Sequence, residues 1–302
     1  MTRSATEEHA VDASFPASSV GRRDDAPTRS LAEVFDAPSA EPTLPMLSLR
    51  DVEVHFGGIA ALSGLTFDVD VGHVVAVVGP NGAGKSTMLN AISGLVRESS
   101  RGTIHVGGHS VLGKSPVAIA RAGVGRTFQD PSLIDSESAL TNVMVGQHQR
   151  LGYRMTDQVF RRRHVRSLED QARERGQAVL NFMDLGSVRD QPVSSLSYGT
   201  RKLIDIARAI ASGPRLLLLD EPTSGLDSDE QRRVGRILAE LRSATPVSIL
   251  IVEHHMHVVH SIADSVVGLE AGAVVAIGPP RKVLDSPDFQ RAVTGSSSGL
   301  PH

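Results

Sequence analysis

Cysteine is absent from this chain of 302 residues, and so are long hydrophobic runs. The lack of cysteine excludes disulfide bonds and zinc–thiolate sites, and it is compatible with a reducing cytosol. No apolar stretch approaches the roughly 20 residues that span a bilayer, and the N-terminus lacks the apolar core of a secretory signal. We therefore expect any role at a membrane to come through partner subunits.

A strong excess of charge of either sign is missing as well. The formal net charge is only −3, which argues against a general nucleic-acid-binding surface, so we expect no nucleic-acid partner. The hydrophobic fraction of 40% is sufficient, at this length, for one large domain or two small ones with a proper core.

Residues 1–45 differ in composition from the rest of the chain. They are rich in alanine, serine, proline and acidic residues, and they show little hydrophobic periodicity. Such a segment buries too little apolar surface to offset its ordering entropy, so we predict a disordered N-terminal tail. The alternative is a short docking helix around Leu31, Val34 and Phe35. We also expect residues 296–302 to form a flexible C-terminal tail.

A glycine-rich segment directly follows the apolar run Val74–Val78 and fits the pattern G-x-x-x-x-G-K-[ST]. It consists of Gly79, Pro80, Asn81, Gly82, Ala83, Gly84, Lys85, Ser86 and Thr87. The glycines let backbone N–H groups turn toward phosphates, and the positive end of the following helix faces them. Lys85 would reach the terminal phosphates, and the Ser86 hydroxyl would ligate Mg²⁺. The segment predicts that the chain binds a nucleoside triphosphate.

Three segments alternate between apolar and polar residues as half-buried strands do. They are residues 47–54, 65–69 and 103–106, and Gly107 and Gly108 after the last of them indicate a turn. The sequence therefore predicts a small antiparallel layer beside the phosphate-binding core.

Two continuous apolar runs, residues 216–220 and 247–252, are typical of parallel strands covered on both faces. Residues 228–242 between them predict a helix, which gives a strand–helix–strand unit. Residues from about 131 to 195 are predicted to be helical and include the Arg-rich stretch 161–166. Mixed charge there favours a solvated helix face, and the alternative is a site for an acidic partner or a lipid headgroup.

Two carboxylates, Asp220 and Glu221, close the first of these parallel strands. On a sheet that also carries a phosphate loop, Asp220 can hold Mg²⁺ through water, and Glu221 can polarise the attacking water. The alternative, an exposed acidic turn, is disfavoured by the phosphate loop.

Six short motifs follow one another along the chain. They are the phosphate loop, Gln129, Leu196-Ser197-Tyr198-Gly199-Thr200, Asp220-Glu221, Ser224-Gly225-Leu226-Asp227 and His254. With these motifs in this order, residues 46–295 resemble the nucleotide-binding subunit of an ATP-binding cassette (ABC) transporter. The resemblance implies an α/β fold: a P-loop NTPase (RecA-like) core with an antiparallel β subdomain and a helical subdomain at about 131–195.

Within that superfamily the chain is similar to the ATP-binding subunits of branched-chain amino acid importers. The similarity is carried by Phe56-Gly57-Gly58, Gly125-Arg126-Thr127-Phe128-Gln129, Leu140-Thr141-Asn142-Val143, Leu196-Ser197-Tyr198-Gly199, Val252-Glu253-His254 and the segment after Gly278. It implies hydrolysis of ATP with Mg²⁺ at the cytoplasmic face of the membrane, powering import of branched-chain amino acids, amides or urea. The implied partners are transmembrane permease subunits, a second ABC ATPase subunit and, indirectly, a substrate-binding protein. The alternatives are the ATPase of an exporter or lipid-extraction system, and a non-transport ABC ATPase.

The resemblance also implies roles for individual residues. Phe56 would stack on adenine, Gln129 would contact the metal or the lytic water, and His254 would hydrogen-bond the γ-phosphate. Ser197 and Gly199 would cap the γ-phosphate of ATP held by the opposite subunit. The remaining motif residue, Asp227, would help to align the two subunits.

The chain departs from the family pattern at two positions. Thr200 stands where the signature motif usually ends in glutamine, which leaves the contact of that glutamine in doubt. After the switch histidine, His255 stands where the family usually has aspartate. His257 and His260, three residues apart, permit a metal site on a helix. We find no nearby cysteine or well-placed carboxylate in the sequence to complete it, which favours a solvated helix face.

Overall fold

The computed structural model describes residues 31, 34, 35, 44–96, 100–148, 162–286 and 289. These residues form a four-stranded sheet, a six-stranded sheet and a set of helices. In this part of the chain no helix is both long and apolar enough to cross a membrane.

The four-stranded sheet is antiparallel, with the strand order β2-β1-β4-β5. Its strands are β1 (Leu47–Phe56), β2 (Ile59–Val69), β4 (Ser100–Val106) and β5 (His109–Ser110). The antiparallel layer predicted from the alternating segments is therefore confirmed. Apolar residues of β1, such as Leu47, Leu49 and Val54, are fully buried, because one face of the sheet lies against the core.

The six-stranded sheet has the order β10-β9-β3-β8-β7-β6. Its strands are β3 (Val74–Val78), β6 (Val124–Arg126), β7 (Leu216–Asp220), β8 (Ser248–Val252), β9 (Ser265–Glu270) and β10 (Ala273–Gly278). All neighbours are parallel except β9 and β10, which form an antiparallel pair. The predicted parallel strands β3, β7 and β8 are confirmed, and every residue in them is buried.

The helices of the described chain lie mostly on one side of this sheet. They are α1 (Lys85–Ile92), α2 (Pro116–Arg121), α3 (Ala139–Val145), α4 (Arg162–Phe182), α5 (Tyr198–Ala211), α6 (Ser228–Ala244), α7 (Met256–Ile262) and α8 (Pro280–Leu284). Short 3₁₀ turns cover Gly186–Val188 and Val193–Ser195. The helix predicted between β7 and β8 is α6. In the Arg-rich stretch, Arg161 and the side chains of residues 162–165 lie outside the described part.

Hydrophobic packing covers both faces of the six-stranded sheet. Val74, Ala76 and Val78 of β3 belong to a cluster that includes residues of α3 to α8. Val75 and Val77, which point the other way, belong to a second cluster with α1 and the antiparallel sheet. The strand ends between these two layers are therefore held in fixed positions, and the polar residues that follow them converge at one edge.

A short N-terminal segment packs into the helix-side cluster. Val34 is fully buried, Phe35 is nearly so, and Leu31 packs against the same cluster. The backbone N–H of Val34 donates to the carbonyl of Leu31 at 3.0 Å. These three residues therefore pack against the core, while the disordered tail over residues 1–45 stays a prediction. The other residues of the predicted tail up to residue 43, and residues 296–302, lie outside the described part.

Candidate functional site

The phosphate loop connects β3 to α1 and is pressed against β2. Gly84 occupies the N-cap position of α1 with φ +98°, a left-handed conformation that favours glycine. A Cβ at this position would lie 2.6 Å from the Ala61 carbonyl oxygen and 2.8 Å from Leu62 Cδ2. The close approach of β2 therefore requires glycine here, and it fixes the start of α1.

Lys85 folds back over the loop. Its Nζ donates to the carbonyl oxygens of Gly79 at 2.8 Å and Pro80 at 2.9 Å. Burial lowers the pKa of Lys85, while the negative charges of Glu221 and Asp220 act in the opposite direction. The ammonium group therefore sits inside the loop with backbone acceptors only, which suits it to receive an anionic ligand.

A cleft of about 860 Å³ opens above the loop. Its lining consists of Ala61, Gly79, Pro80, Asn81, Gly82, Gly84, Lys85, Ser86, Thr87, Gln129, Glu221 and His254. Gln129, Glu221 and His254 follow β6, β7 and β8, whose carboxyl ends lie at one edge of the sheet. Gln129 Nε2 lies 3.5 Å from Glu221 Oε2. The structure thus brings three separate motifs to the phosphate loop, and the volume suits a nucleotide-sized ligand.

Glu221 has an unusual backbone conformation for a non-glycine residue, with φ +47°. Its N–H donates to the Val252 carbonyl at 3.0 Å, and its own carbonyl accepts from Lys202 Nζ at 2.9 Å and from the Ser224 N–H at 3.1 Å. Strain of this kind persists only where the surroundings over-determine the conformation, and it concentrates at functional sites. These three hydrogen bonds fix both backbone groups of Glu221, its N–H and its carbonyl.

Asp220 forms a buried ion pair that the sequence did not predict. Arg126 Nη2 lies 3.4 Å from Asp220 Oδ2, and both side chains are only 8% exposed. The Arg126 guanidinium also donates to the Ser93 hydroxyl and lies over the ring of Phe128, 4.9 Å from its centroid. Burial raises the pKa of Asp220, and the attraction of Arg126 opposes that change. The only sequence signal was a cation at the end of β6.

Ser197, Gly199 and Asp227 lie outside this cleft. Ser197 is the N-cap of α5, where its Oγ accepts from the Thr200 N–H at 3.2 Å and lies 3.0 Å from Thr200 Oγ1. Asp227 caps α6 and forms a capping box with Glu230. A Cβ at Gly199 would lie 2.0 Å from Glu230 Oε1. The three residues therefore meet where α5 begins beside α6.

Phe56 lies at the end of β1, on the hairpin that leads into β2. It is 49% exposed, pairs with Ile59 in the sheet, and is not part of the cleft lining. Ile59 is 72% exposed. An aromatic ring on an open hairpin is accessible for stacking, and stacking on adenine remains a prediction for Phe56.

His255 is positioned by a network that corrects the sequence-based view of the histidine run. The sequence offered no well-placed carboxylate, but Glu253 Oε1 lies 2.8 Å from His255 Nδ1 and accepts from Thr223 Oγ1 at 2.7 Å. Gln231 Nε2 lies 3.1 Å from His255 Nε2. Because an amide nitrogen only donates, His255 Nε2 accepts, and Nδ1 carries the proton toward Glu253. Both ring nitrogens of His255 and Oε1 of Glu253 thereby have partners within the protein, whereas Glu253 Oε2 is buried without one among the described residues.

The order and convergence of these motifs agree with a comparison against protein families. Residues 62–224 match the model of the ABC transporter family. The chain belongs to the ABC transporter family. The resemblance stated from the sequence is confirmed, and the chain is an ATP-binding, ATP-hydrolysing subunit of this family.

The ABC subunit is similar to two known transport proteins and to one solved structure. It is 34% identical over 253 residues to the high-affinity branched-chain amino acid transport ATP-binding protein BraF of Pseudomonas aeruginosa, covering 84% of this chain and 99% of BraF. It is 32% identical over the same length and coverage to LivG, the protein of the same description in Escherichia coli K12. An ABC transporter cassette in its ADP conformation superposes with a TM-score of 0.72 at 27% identity, covering 84% of this chain and all of the cassette. The predicted P-loop α/β fold is therefore confirmed.

Proposed function

We propose that this chain is the ATPase subunit that powers import of branched-chain amino acids, or of related amides or urea, through partner membrane permeases. The proposal is carried by the convergence of Lys85, Gln129, Glu221 and His254 on one cleft. Its transport assignment is supported by the two relatives, which share most of their length with this chain. The work of the subunit is to convert ATP hydrolysis into motion of the permease subunits.

The cleft residues fit ATP and a magnesium ion. The loop offers backbone N–H groups and the Lys85 ammonium to phosphates, while Ser86 and Gln129 of the cleft lining offer oxygen ligands. Asp220, which lies outside that lining at the end of β7, would reach the ion through a water. Arg126 contacts one carboxylate oxygen of Asp220, Oδ2, so Oδ1 stays available for a water held by the ion. The ion supplies neutralisation of phosphate charge when it is bound. Glu221 polarises the attacking water, and His254 donates to the γ-phosphate.

A second subunit completes the site in this proposal. Ser197 and Gly199 lie apart from the cleft of their own chain, at the start of α5. The positive end of that helix would face the γ-phosphate of ATP held by a second ABC ATPase subunit. Asp227 would align the two chains. The pair would sit at the cytoplasmic face of the membrane through the permeases, with a substrate-binding protein acting on the far side.

The catalytic part is tested by two substitutions in the full chain. Lys85→Ala removes the ammonium from the loop, so we expect ATP binding or turnover to be lost. Glu221→Gln removes the base but keeps the cleft, so we expect retained ATP and a trapped dimer on size-exclusion chromatography. Lys114→Ala, at an exposed lysine outside the cleft, is the matched control. Unchanged hydrolysis by either cleft variant would contradict the assigned role of that residue.

The transport part is tested in the source cell. Deleting the gene should reduce uptake of labelled leucine, an amide or urea, and the wild-type chain should restore that uptake. The Glu221→Gln chain should fail to restore it, because it cannot complete the hydrolytic cycle. Normal uptake of all these compounds in the deletion strain would exclude the import assignment while leaving the ATPase assignment intact.

A further inference from the structure

The chain contains few lysines. It contains four lysines among its 31 basic residues, and all the others are arginines. Lys114 and Lys282 are exposed, whereas Lys85 and Lys202 are buried. Two of the few positions that use lysine are therefore buried ones, and one of them is the phosphate-loop residue.

Lys202 lies on α5, five residues after the N-cap Ser197. Its Nζ donates to the backbone carbonyl of Glu221 at 2.9 Å and lies 5.7 Å from the centroid of the Tyr198 ring. The residue is only 3% exposed. Burial lowers its pKa, and four carboxylates that face it oppose that change: Glu253, Glu221, Asp130 and Asp205. A buried ammonium with this many counter-charges is fixed in position, and its direct acceptor is the peptide of the proposed general base.

Two residues at the start of α5, Tyr198 and Gly199, also contact the segment after β7. A Cβ on Gly225 would lie 3.1 Å from Tyr198 Cε1, and a Cβ on Gly199 would overlap Glu230. With Lys202, three positions of α5 thus contact the loop that begins at Glu221 and continues into α6. The start of α5 is therefore in direct contact with this loop at three positions.

We propose that Lys202 is a positioning residue that couples the start of α5 to the peptide of Glu221. This inference rests on the proposed function, in which α5 meets the phosphate held by the opposite subunit. The Glu221 backbone is strained at φ +47°, and its carbonyl is held by Lys202 and the Ser224 N–H. Loss of the Lys202 hydrogen bond leaves that carbonyl held by the Ser224 N–H alone, so the strained backbone relaxes and the carboxylate of Glu221 turns away from the attacking water.

The test compares Lys202→Met with Lys202→Arg and with Lys114→Met in the full chain. Misplacement of a reacting group by about 1 Å costs up to about 100-fold, so we expect Lys202→Met to lower kcat by about 10- to 100-fold. Equilibrium binding of a fluorescent ATP analogue should change less than about twofold, because Lys202 is outside the cleft lining. Lys202→Arg should recover most of the turnover through its charged donor, and Lys114→Met should match the wild type.

A second measurement separates positioning from simple loss of structure. In the Glu221→Gln background, Lys202→Met should leave the ATP-dependent dimer intact, because binding and closure do not need the base. Unchanged kcat in Lys202→Met would overturn the inference. So would a joint loss of turnover, ATP affinity and thermal stability that arginine fails to restore. Failure of the proposed function itself would show differently, as a wild-type chain that neither binds nor hydrolyses ATP.

Discussion

At the scale of single residues, the pKa of the Lys85 ammonium group is subject to two opposing effects, burial in the loop and the binding of phosphate. Its Nζ contacts the carbonyl oxygens of Gly79 and Pro80, and burial lowers its pKa below the ordinary value of 10.5. Between the lowered and the ordinary value, the unfolded chain binds the proton that the folded chain has lost. The contribution of Lys85 to ligand-free stability therefore rises with pH across that window.

Binding of ATP should follow the opposite course. Phosphate charge favours the protonated amine, so we expect ATP affinity to fall as the pH rises through the lowered pKa of Lys85. Titration calorimetry between about pH 7 and pH 10 measures this change directly. The Lys202→Met chain, which lacks the other buried ammonium, should show the same decline. Affinity that stays constant up to the ordinary lysine range would contradict the lowered pKa.

At the scale of secondary-structure elements, α3 and α5 begin with the same motif. Ser138 accepts from the Thr141 N–H at 3.1 Å, and Ser197 accepts from the Thr200 N–H at 3.2 Å. In both caps the threonine Oγ1 lies 3.0 Å from the serine Oγ. Thr200, which departs from the family pattern, thus gives α5 a local cap that α3 shares.

Because the two N-caps are alike, substituting each serine distinguishes a structural role of Ser197 from a catalytic one. We expect Ser138→Ala and Ser197→Ala each to lower the free energy of unfolding by about 1 kcal/mol, because each exposes a helix N–H. Only Ser197→Ala should also lower ATP turnover, since Ser138 has no assigned contact with nucleotide. Chemical denaturation and steady-state hydrolysis give both quantities. Equal turnover in the two variants would remove Ser197 from the proposed composite site.

The elements that the sequence predicted correctly are those with long, uniform patterns. β3, β7 and β8 are five-residue strands that contain four or five consecutive apolar residues and are buried on both faces, so their pattern is continuous. β6 was not predicted, because Val124, Gly125 and Arg126 are too few and too mixed to form a pattern. The β9–β10 hairpin was not predicted either, since β10 consists of five apolar residues and a glycine without polar–apolar alternation, although none of its residues is buried.

At the scale of the whole molecule, the N-terminal segment belongs to the main core. Val34 and Phe35 lie in the cluster that also contains residues of the parallel sheet and of α3 to α8. The sequence offered docking of these residues only as an alternative to a disordered tail, because the surrounding sequence is polar and low in periodicity. The burial depends on a surface built by distant parts of the chain.

A pair of phenylalanines tests this packing. We expect Phe35→Ala to lower the free energy of unfolding by about 3 kcal/mol, as removal of a buried aromatic ring does. Phe56→Ala, at a ring that is 49% exposed, should cost less than about 1 kcal/mol. ATP affinity should respond in the reverse order if Phe56 stacks on adenine. Equal stability of the Phe35→Ala and wild-type chains would show that the segment does not pack there in solution.

Glu221 was found from the residues themselves, because it ends a predicted parallel strand on the sheet that carries the phosphate loop. Gln129 and His254 were found from the order of the motifs and the family resemblance that this order carries. All three line the cleft. Arg126 and Lys202 were not, since their importance depends on burial and on partners that are 94 and 19 residues away. Such supporting contacts become visible only once the chain is folded.

Gly199 at the start of α5 packs closely against Glu230 in the first turn of α6, so the space at each position depends on the side chain at the other. Any side chain at position 199 displaces the carboxylate that completes the capping box of α6. A Gly199→Ala substitution would therefore disturb the capping box of α6 even when no nucleotide is bound. A smaller residue at position 230 should partly relieve this steric conflict.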